Sequence, residues 1–390
     1  MITRLQIENY RSIRRLDLRP GPTGLLMGAN GTGKTSVFDV LAAIRGLVID
    51  GVRCDEAFQA NTFPRWLEVH NSQSNILNIQ RFAVTILYRD TEFTYTVAIS
   101  HRRYNDESRV QSETLTENEE PLFNYSDGSV RLYRDDHGQG GQYAFDGARS
   151  ALASVPDHPL HSKMTWFKER LARIHSVRLD APRMSGRSER GEAAPDRGLS
   201  NFAPWLVQAW LDDSAAAAAM QAALRAGLPG FDSMKFDSLG EGRYLLKVRF
   251  NAEATPAADG GPADDTPAVS YSLNFSELSD GQRAIIGLHA LLHFLVRADT
   301  TLCIDEPDNY VSLGELQPLL LDFMDKAEET GGQILFASHH PEYLNLLAID
   351  HGLVFRRDRS GTTTASQFQA PPDVILPAAE YFARGMDGDA

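Results

Sequence analysis

An α/β fold built on a mixed sheet with crossover helices is predicted for this 390-residue chain from three observations. A strand-like run, TGLLMG, leads straight into a glycine-rich loop, GANGTGKTS at residues 28–36, and then into apolar residues at helical spacing. The last third alternates helix, strand, helix and strand patterns, which implies parallel strands joined by crossover helices. Between these ends, RFAVTILY and EFTYTVAI alternate apolar and polar residues around a short turn from Arg89 to Glu92, as an antiparallel hairpin with one buried face does.

The elements follow in order. LQIENY and IRRLDL, within residues 3–19, read as two short strands ahead of TGLLMG. After Lys34, residues Val37, Val40, Leu41, Ile44 and Leu47 keep the spacing of a helix. A β-rich segment comes next. Met164, Phe167, Leu171 and Ile174 then predict a helix over 158–175, and a second is predicted over 201–226, including the alanine run 215–219. Between them, APRMSGRSERGEAAPDRG is rich in Gly, Pro and charge and is expected to be a mobile loop. RYLLKVRF and VSYSLNF read as strands separated by EATPAADGGPADDTP, a connector too poor in apolar residues to pack. A helix at about 280–297, the strand TLCI, a helix at about 313–329 and the strand QILFAS complete the pattern. The expected division is an N-terminal lobe of an α/β head with its glycine loop and β-rich portion (1–150), a helical insertion (151–230), a C-terminal lobe of the same head (231–365) and a tail (366–390).

Composition excludes several classes. With 52 acidic against 38 basic side chains, the balance of −14 does not advertise a nucleic-acid surface, so any DNA contact would be a local basic patch. Two cysteines, Cys54 and Cys303, supply neither a disulfide framework nor a CxxC zinc pattern, and a reducing cytoplasm fits them. MITRLQIENYRS reads as a charged strand and lacks the apolar core of a secretion signal. The longest apolar stretch, Ile285 to Ile304, is interrupted by His289, His293, Arg297 and Asp299, so no membrane span is expected.

Three motifs carry chemistry. Gly28, Gly33, Lys34 and Thr35 fit GxxxxGK[ST], a loop whose glycines let backbone amides curl inward while the next helix presents its positive end. Lys34 suits the β- and γ-phosphates and the Thr35 hydroxyl suits Mg²⁺. TLCIDEP ends an apolar strand in two carboxylates: Asp305 suits Mg²⁺, and Glu306 suits a base that orients and deprotonates water. Taken alone, such a pair also serves to cap the next helix. In FSELSDGQRAIIGL, Ser279 and Gln282 stand in capping-box spacing, so a helix should begin there, with Gly281 keeping the backbone open for an anionic ligand.

Together, residues 28–36, Leu278 to Gln282, Leu302 to Glu306 and ILFASHHP resemble the Walker A, signature, Walker B and switch-histidine motifs of ABC-type ATPases. Within that superfamily the chain resembles the RecF, SMC and OLD branch, whose N-terminal strand motif LQIENYRSI also resembles. The resemblance covers roughly 1–50 and 270–350. It implies a P-loop NTPase head of ABC type, with ATP and Mg²⁺ as cofactors, Gly28, Asn30, Gly31, Gly33, Lys34, Thr35 and Ser36 around the phosphates, and Thr35 and Asp305 on the metal. Glu306 and His339 would be catalytic. Ser279, Gly281 and Gln282 would act in trans, because the family sandwiches two ATP molecules between two protomers. Here 244 residues (278 minus 34) separate the signature from the loop, so only folding or dimerisation can unite them. Asp280 stands where the more familiar signature has a second glycine. Gln80 is one candidate for the glutamine loop.

OLD relatives carry a C-terminal nuclease domain, whereas 51 residues (390 minus 339) follow His339 in this chain, so a nuclease or toxin effector is expected to be a separate polypeptide. The expected function is a cytoplasmic Mg-dependent ATPase whose ATP-bound heads form a homodimer and time a DNA-related event, in anti-phage defence or DNA repair. The alternative is an ATP-controlled scaffold whose helical insertion binds a partner protein. His289 and His293 lie one helical turn apart, but no third ligand accompanies them and packing roles are expected. Arg183, Arg187 and Arg190 suit nucleic-acid phosphates or a solvated loop, and neighbouring acids favour the latter.

Overall fold

The computed structural model describes residues 1–67, 78–102, 107–252, 269–369 and 376–384. The predicted connector EATPAADGGPADDTP lies outside the described residues. The chain divides into two compact units: Met1–Ser176 with Ala298–Asp305 and Ala327–Ala390, and Val177–Arg297 with Glu306–Lys326.

The first unit holds two sheets. Strands β1 (Ile2–Tyr10), β2 (Ile13–Leu18), β4 (Asn78–Tyr88), β5 (Thr91–Arg102), β6 (Glu107–Glu117), β7 (Glu120–Ser126), β8 (Ser129–Tyr133) and β9 (Gln139–Ala144) form an eight-stranded antiparallel sheet in the order β2-β1-β4-β5-β6-β7-β8-β9. The hairpin expected around Arg89 is present, with Tyr88 paired to Thr91. The second sheet orders β10 (Ile174–Val177), β15 (Thr301–Asp305), β16 (Gln333–Ala337), β3 (Thr23–Met27), β17 (Gly352–Arg357) and β18 (Thr363–Gln367) as β10-β15-β16-β3-β17-β18. Strands β15, β16, β3 and β17 run parallel, and β18 is antiparallel to β17. The mixed sheet predicted from the terminal motifs is therefore present.

Helix α1 (Lys34–Val48) supplies Val37, Phe38, Val40, Leu41, Ile44 and Leu47 to one core that also contains Ile7, Phe82, Val84 and Tyr95 from the antiparallel sheet and Cys303 and Leu335 from the parallel one. Apolar area on this scale, at about 25 cal/mol per Å², is the main force that holds the glycine loop's flanks in place. A short α2 (Cys54–Ala57) and α3 (Ser162–Ala172) pack onto the same core through Cys54, Met164, Phe167 and Leu171. Helices α8 (Pro341–His351) and α9 (Ala378–Ala383) complete the unit.

Two polar anchors lie inside it. Glu113 is fully buried on β6, where Tyr95 Oη and the amides of Ala151 and Leu152 donate to it at 2.8, 2.8 and 3.4 Å, together with Ser150 Oγ. Desolvation raises its pKa while these donors oppose the rise. Gln80, on β4, donates to Asn9 O at 2.8 Å and Thr62 Oγ1 at 3.2 Å and accepts from His101 Nε2 at 2.8 Å. Burial pushes His101 down to about 4, so the ring is neutral and its Nδ1 accepts from Ser108 Oγ at 2.8 Å. Gln80 is thus committed to the core of this unit.

The second unit contains a four-stranded antiparallel sheet, in which β13 (Arg243–Ala252) pairs with β11 (Arg187–Ser188), β12 (Phe231–Gly240) and β14 (Val269–Asn274). The helix predicted over 201–226 is two helices, α4 (Phe202–Asp212) and α5 (Ser214–Gly227). Asp213 breaks the run because its carboxylate accepts from Ala216 N at 2.8 Å and caps the second helix. Helix α6 (Asp280–Leu295) is buried along most of its length, and α7 (Leu313–Thr330) begins in this unit. His289 and His293 stack on α6 at 6.1 Å between ring centroids, and burial lowers both to about 4.

The segment 181–198, expected to be mobile, is ordered by backbone hydrogen bonds: Leu246 N to Gly186 O at 2.9 Å, Ala203 N to Ser185 O at 3.0 Å and Glu192 N to Pro204 O at 2.9 Å. Met184 and Ser188 are buried within it. Gly and Pro marked a break in regular structure correctly, but irregular backbone that finds partners is not free to move.

Candidate functional site

The glycine loop leaves the C-terminal end of β3 and enters α1. Gly28 and Gly33 adopt φ of 151° and 103°. A side-chain carbon at 28 would stand 2.3 Å from Phe355 O, and one at 33 would stand 3.1 Å from Thr363 Oγ1, so both positions require glycine. Gly33 caps α1 in a left-handed conformation and no side chain bonds to the helix start. No side chain therefore competes with an anion for the helix start, although Ser36 N already donates to Gly33 O at 3.1 Å. Lys34, 6% exposed, donates from Nζ to Gly28 O at 2.6 Å and Ala29 O at 3.2 Å, which curls the ammonium back over the loop. Asn30 and Gly31 form the loop's exposed crest, and Thr35 and Ser36 follow in the first turn.

Asp305 ends β15 and is 1% exposed. It pairs in register with Ala337 at the end of β16, which in turn pairs with Leu26 of β3. Asp305 and the root of the glycine loop thus share the carboxyl edge of the parallel strands, where α/β sheets bind ligands. His339 and His340 follow β16 at the same edge. His340 caps α8, accepting from Glu342 N at 3.3 Å, whereas His339 is exposed and takes no part in the cap. The capping role that a histidine at a strand end suggests belongs to the second histidine.

Arg11, within LQIENYRSI, has a role that its place in that motif does not reveal. Arg11, at φ 52° in the β1–β2 turn, forms an ion pair with Asp39 of α1, and its Nη1 lies 3.5 Å from Ser36 Oγ. Thr363 is the other residue missed, and it braces the loop by donating from Oγ1 to Thr32 O at 2.8 Å. Neither had a sequence signal beyond a turn or a strand.

In the second unit, α6 begins at the predicted capping box. Ser279 Oγ accepts from Gln282 N at 3.2 Å, and Gln282 Oε1 accepts from Ser279 N at 3.0 Å. The serine hydroxyl hydrogen stays available to an outside acceptor. Gly281 has a cause the sequence did not show: a side-chain carbon there would stand 3.0 Å from Tyr310 O. Arg283 fixes the helix start by donating to Leu278 O and Ser276 O, both at 3.1 Å, and to Ala181 O at 3.3 Å.

Glu306 opens this unit's second segment at φ 51°. Its Oε2 accepts from Arg178 Nη2 at 2.8 Å and Asn309 Nδ2 at 3.2 Å. Arg183 is largely exposed beside Asp180 at 3.6 Å, and Arg187 and Arg190 are exposed on the ordered segment.

A family model described as AAA domain, putative AbiEii toxin, Type IV TA system matches residues 229–345, the stretch that holds Ser279 to Gln282, Asp305, Glu306 and His339. No curated protein matches the sequence. The chain is similar to an Smc head bound to the C-winged helix domain of ScpA, at 13% identity and TM-score 0.53 over 94% of this chain and 97% of that one. It is also similar to an Smc head with an extended coiled coil bound to the C-terminal domain of ScpA, derived from Pyrococcus furiosus, at 13% identity and TM-score 0.52 over 94% and 95%. The fold is a P-loop NTPase head. The family model makes residues 229–345 similar to that AAA family, and the Smc heads are similar to the chain in fold. No helix among the described residues is long and apolar enough to cross a membrane.

Proposed function

We propose that the protein is a Mg-dependent ATPase whose heads dimerise on ATP. The observation that carries this reading is the uncapped, glycine-curled start of α1 beside the strand end that bears Asp305. The inward-curled amides and the helix's positive end suit an anion, and Lys34 can exchange two backbone carbonyls for phosphate oxygens. The Thr35 hydroxyl and the buried Asp305 carboxylate are hard oxygen donors that fit Mg²⁺. When bound, that ion neutralises charge on the phosphates.

In this reading Glu306 accepts the proton of the attacking water, and exposed His339 senses the terminal phosphate. Ser279, Gly281 and Gln282 complete the site of a second copy, with the Ser279 hydroxyl hydrogen as donor. The cycle times a DNA-related process in the cytoplasm, anti-phage defence or DNA repair, in concert with a separate nuclease or toxin effector. The toxin–antitoxin description of the matching family model supports that setting. Arg183, Arg187 and Arg190 are the surface to test for DNA contact.

Glu306→Gln tests the reading. Removal of a general base costs about 10²- to 10⁴-fold in turnover, measured as phosphate release, while light scattering should show the variant's mass doubling with Mg-ATP. A variant that turns over ATP like the wild type and stays monomeric would overturn it.

A further inference from the structure

Glu306 is not simply presented to solvent. Its Oε2 carries two donors, the Arg178 guanidinium at 2.8 Å and the Asn309 amide at 3.2 Å. These engage Oε2 and fix the orientation in which the carboxylate's other oxygen can meet a water. The loop that bears it holds two non-glycine residues in the left-handed region, Glu306 at φ 51° and Tyr310 at φ 73°. Such backbone costs conformational energy and persists only where surrounding contacts determine it.

The contacts at either end of this loop differ. At its start the arginine holds Glu306, and Arg178 is itself fixed because its amide donates to Arg197 O at 2.7 Å. That strand-like pairing is continued by Asp180 N to Gly198 O at 3.2 Å, and Asp196 nucleates the turn by accepting from the amides of Gly198 and Ser200 at 3.0 and 2.9 Å. At the loop's end, Tyr310 O rests against Gly281 in the first turn of α6. A cleft of about 380 Å³ lined by Arg178, Asp180, Arg197, Asn309 and Tyr310 lies beside the ion pair, so the guanidinium has room to swing away. The side chains of Arg178 and Glu306 are 50% and 21% exposed, so their pairing is exchangeable and not a buried staple.

Resting on the ATPase reading above, we infer that Arg178 is a positioning residue that restrains Glu306 in the resting protein, and that displacement of Tyr310 by an occupant of the α6 start releases it. The restraint keeps an isolated copy from hydrolysing ATP before the second copy has docked. An occupant that crowds Gly281 presses on the Tyr310 carbonyl and through four residues reaches Glu306.

Arg178→Ala tests this in the full-length protein, with thermal melting as the check that it folds. Hydrogen exchange of residues 306–312 without nucleotide should be faster than in the wild type. Phosphate release at low protein concentration should rise about two- to fivefold, the factor a part-exposed ion pair contributes, and should depend less on protein concentration. Arg178→Lys, which keeps a single-point charge, should fall between the two. Unchanged exchange at 306–312 would overturn the restraint whatever the turnover. Turnover that falls below wild type would also overturn it, because Arg178 would then assist catalysis. Faster exchange with no ATP turnover in either protein would uphold the restraint and sink the ATPase reading instead.

Discussion

Two helix starts in this molecule carry anion-binding sequence signals, and they are built in opposite ways. At α1, Gly33 lies in the left-handed region, no side chain caps the amides, and no acidic residue occupies the first turn. At α6, Ser279 and Gln282 close a capping box and Asp280 adds a negative charge to the first turn. The first start is poised for a ligand, while the second already bonds two amides, those of Ser279 and Gln282, without one. A helix end with part of its amides already bonded offers a phosphate fewer donors: the remaining amides, one hydroxyl hydrogen and the residual dipole. Affinity for nucleotide should therefore reside at α1, and α6 should decide only whether bound nucleotide is consumed.

The strongest way to break this division is Lys34→Ala. Charge-assisted hydrogen bonds are worth about 1.5–3 kcal/mol, so affinity for Mg-ATP should fall on the order of 10- to 100-fold by calorimetry. The Cα environment is undisturbed, because Lys34 begins a helix that alanine favours. Affinity within twofold of wild type would mean that α1 does not bind the phosphates.

Ser279→Ala sharpens the other half. Loss of the cap should lower stability by about 1 kcal/mol in urea unfolding, and turnover should fall roughly tenfold or more with the lost donor. ATP affinity of the dilute protein should not change. Ser279→Asp separates the two effects, since aspartate restores the cap and stability but faces a phosphate with a like charge, so turnover should stay low. If either variant weakens ATP binding to the dilute protein, the two starts are not independent.

The same contrast explains how much could be read from the residues alone. The glycine loop was legible because each feature of it is local: a strand, glycines where the backbone turns left-handed, a lysine and a helix of fixed period. The capping box at Ser279 and Gln282 was legible for the same reason, and so were β15, β16 and their crossover order. Thr363, Arg11 and Arg178 were not legible, since their roles depend on partners far along the chain: Thr363 bonds Thr32, Arg11 pairs with Asp39, and Arg178 pairs with Glu306. Gly281 shows the boundary most clearly. Its type suggests room for a ligand, whereas the neighbour it admits is Tyr310 O, which no spacing rule places there. The break at Asp213 was missed because an alanine run has high helix propensity on both sides, and only the cap geometry reveals the second start.

The smallest expected effect concerns Asp280, which is half-exposed and 3.6 Å from Arg283. A carboxylate in the first helical turn favours the free helix by about 0.3–1 kcal/mol and opposes any anion that arrives there. Asp280→Asn should cost a little stability and, in the Glu306→Gln background, lower the protein concentration needed for ATP-driven dimers about twofold to fivefold at low salt. At 1 M salt, where charges are screened beyond about 3 Å, the two proteins should converge. Light scattering across a dilution series reads both arms. Equal dimerisation at low salt would place the incoming phosphate away from this helix start and leave α6 with a purely structural cap. A shift that survives high salt would point to altered packing at the cap, because only a through-space charge effect disappears with screening.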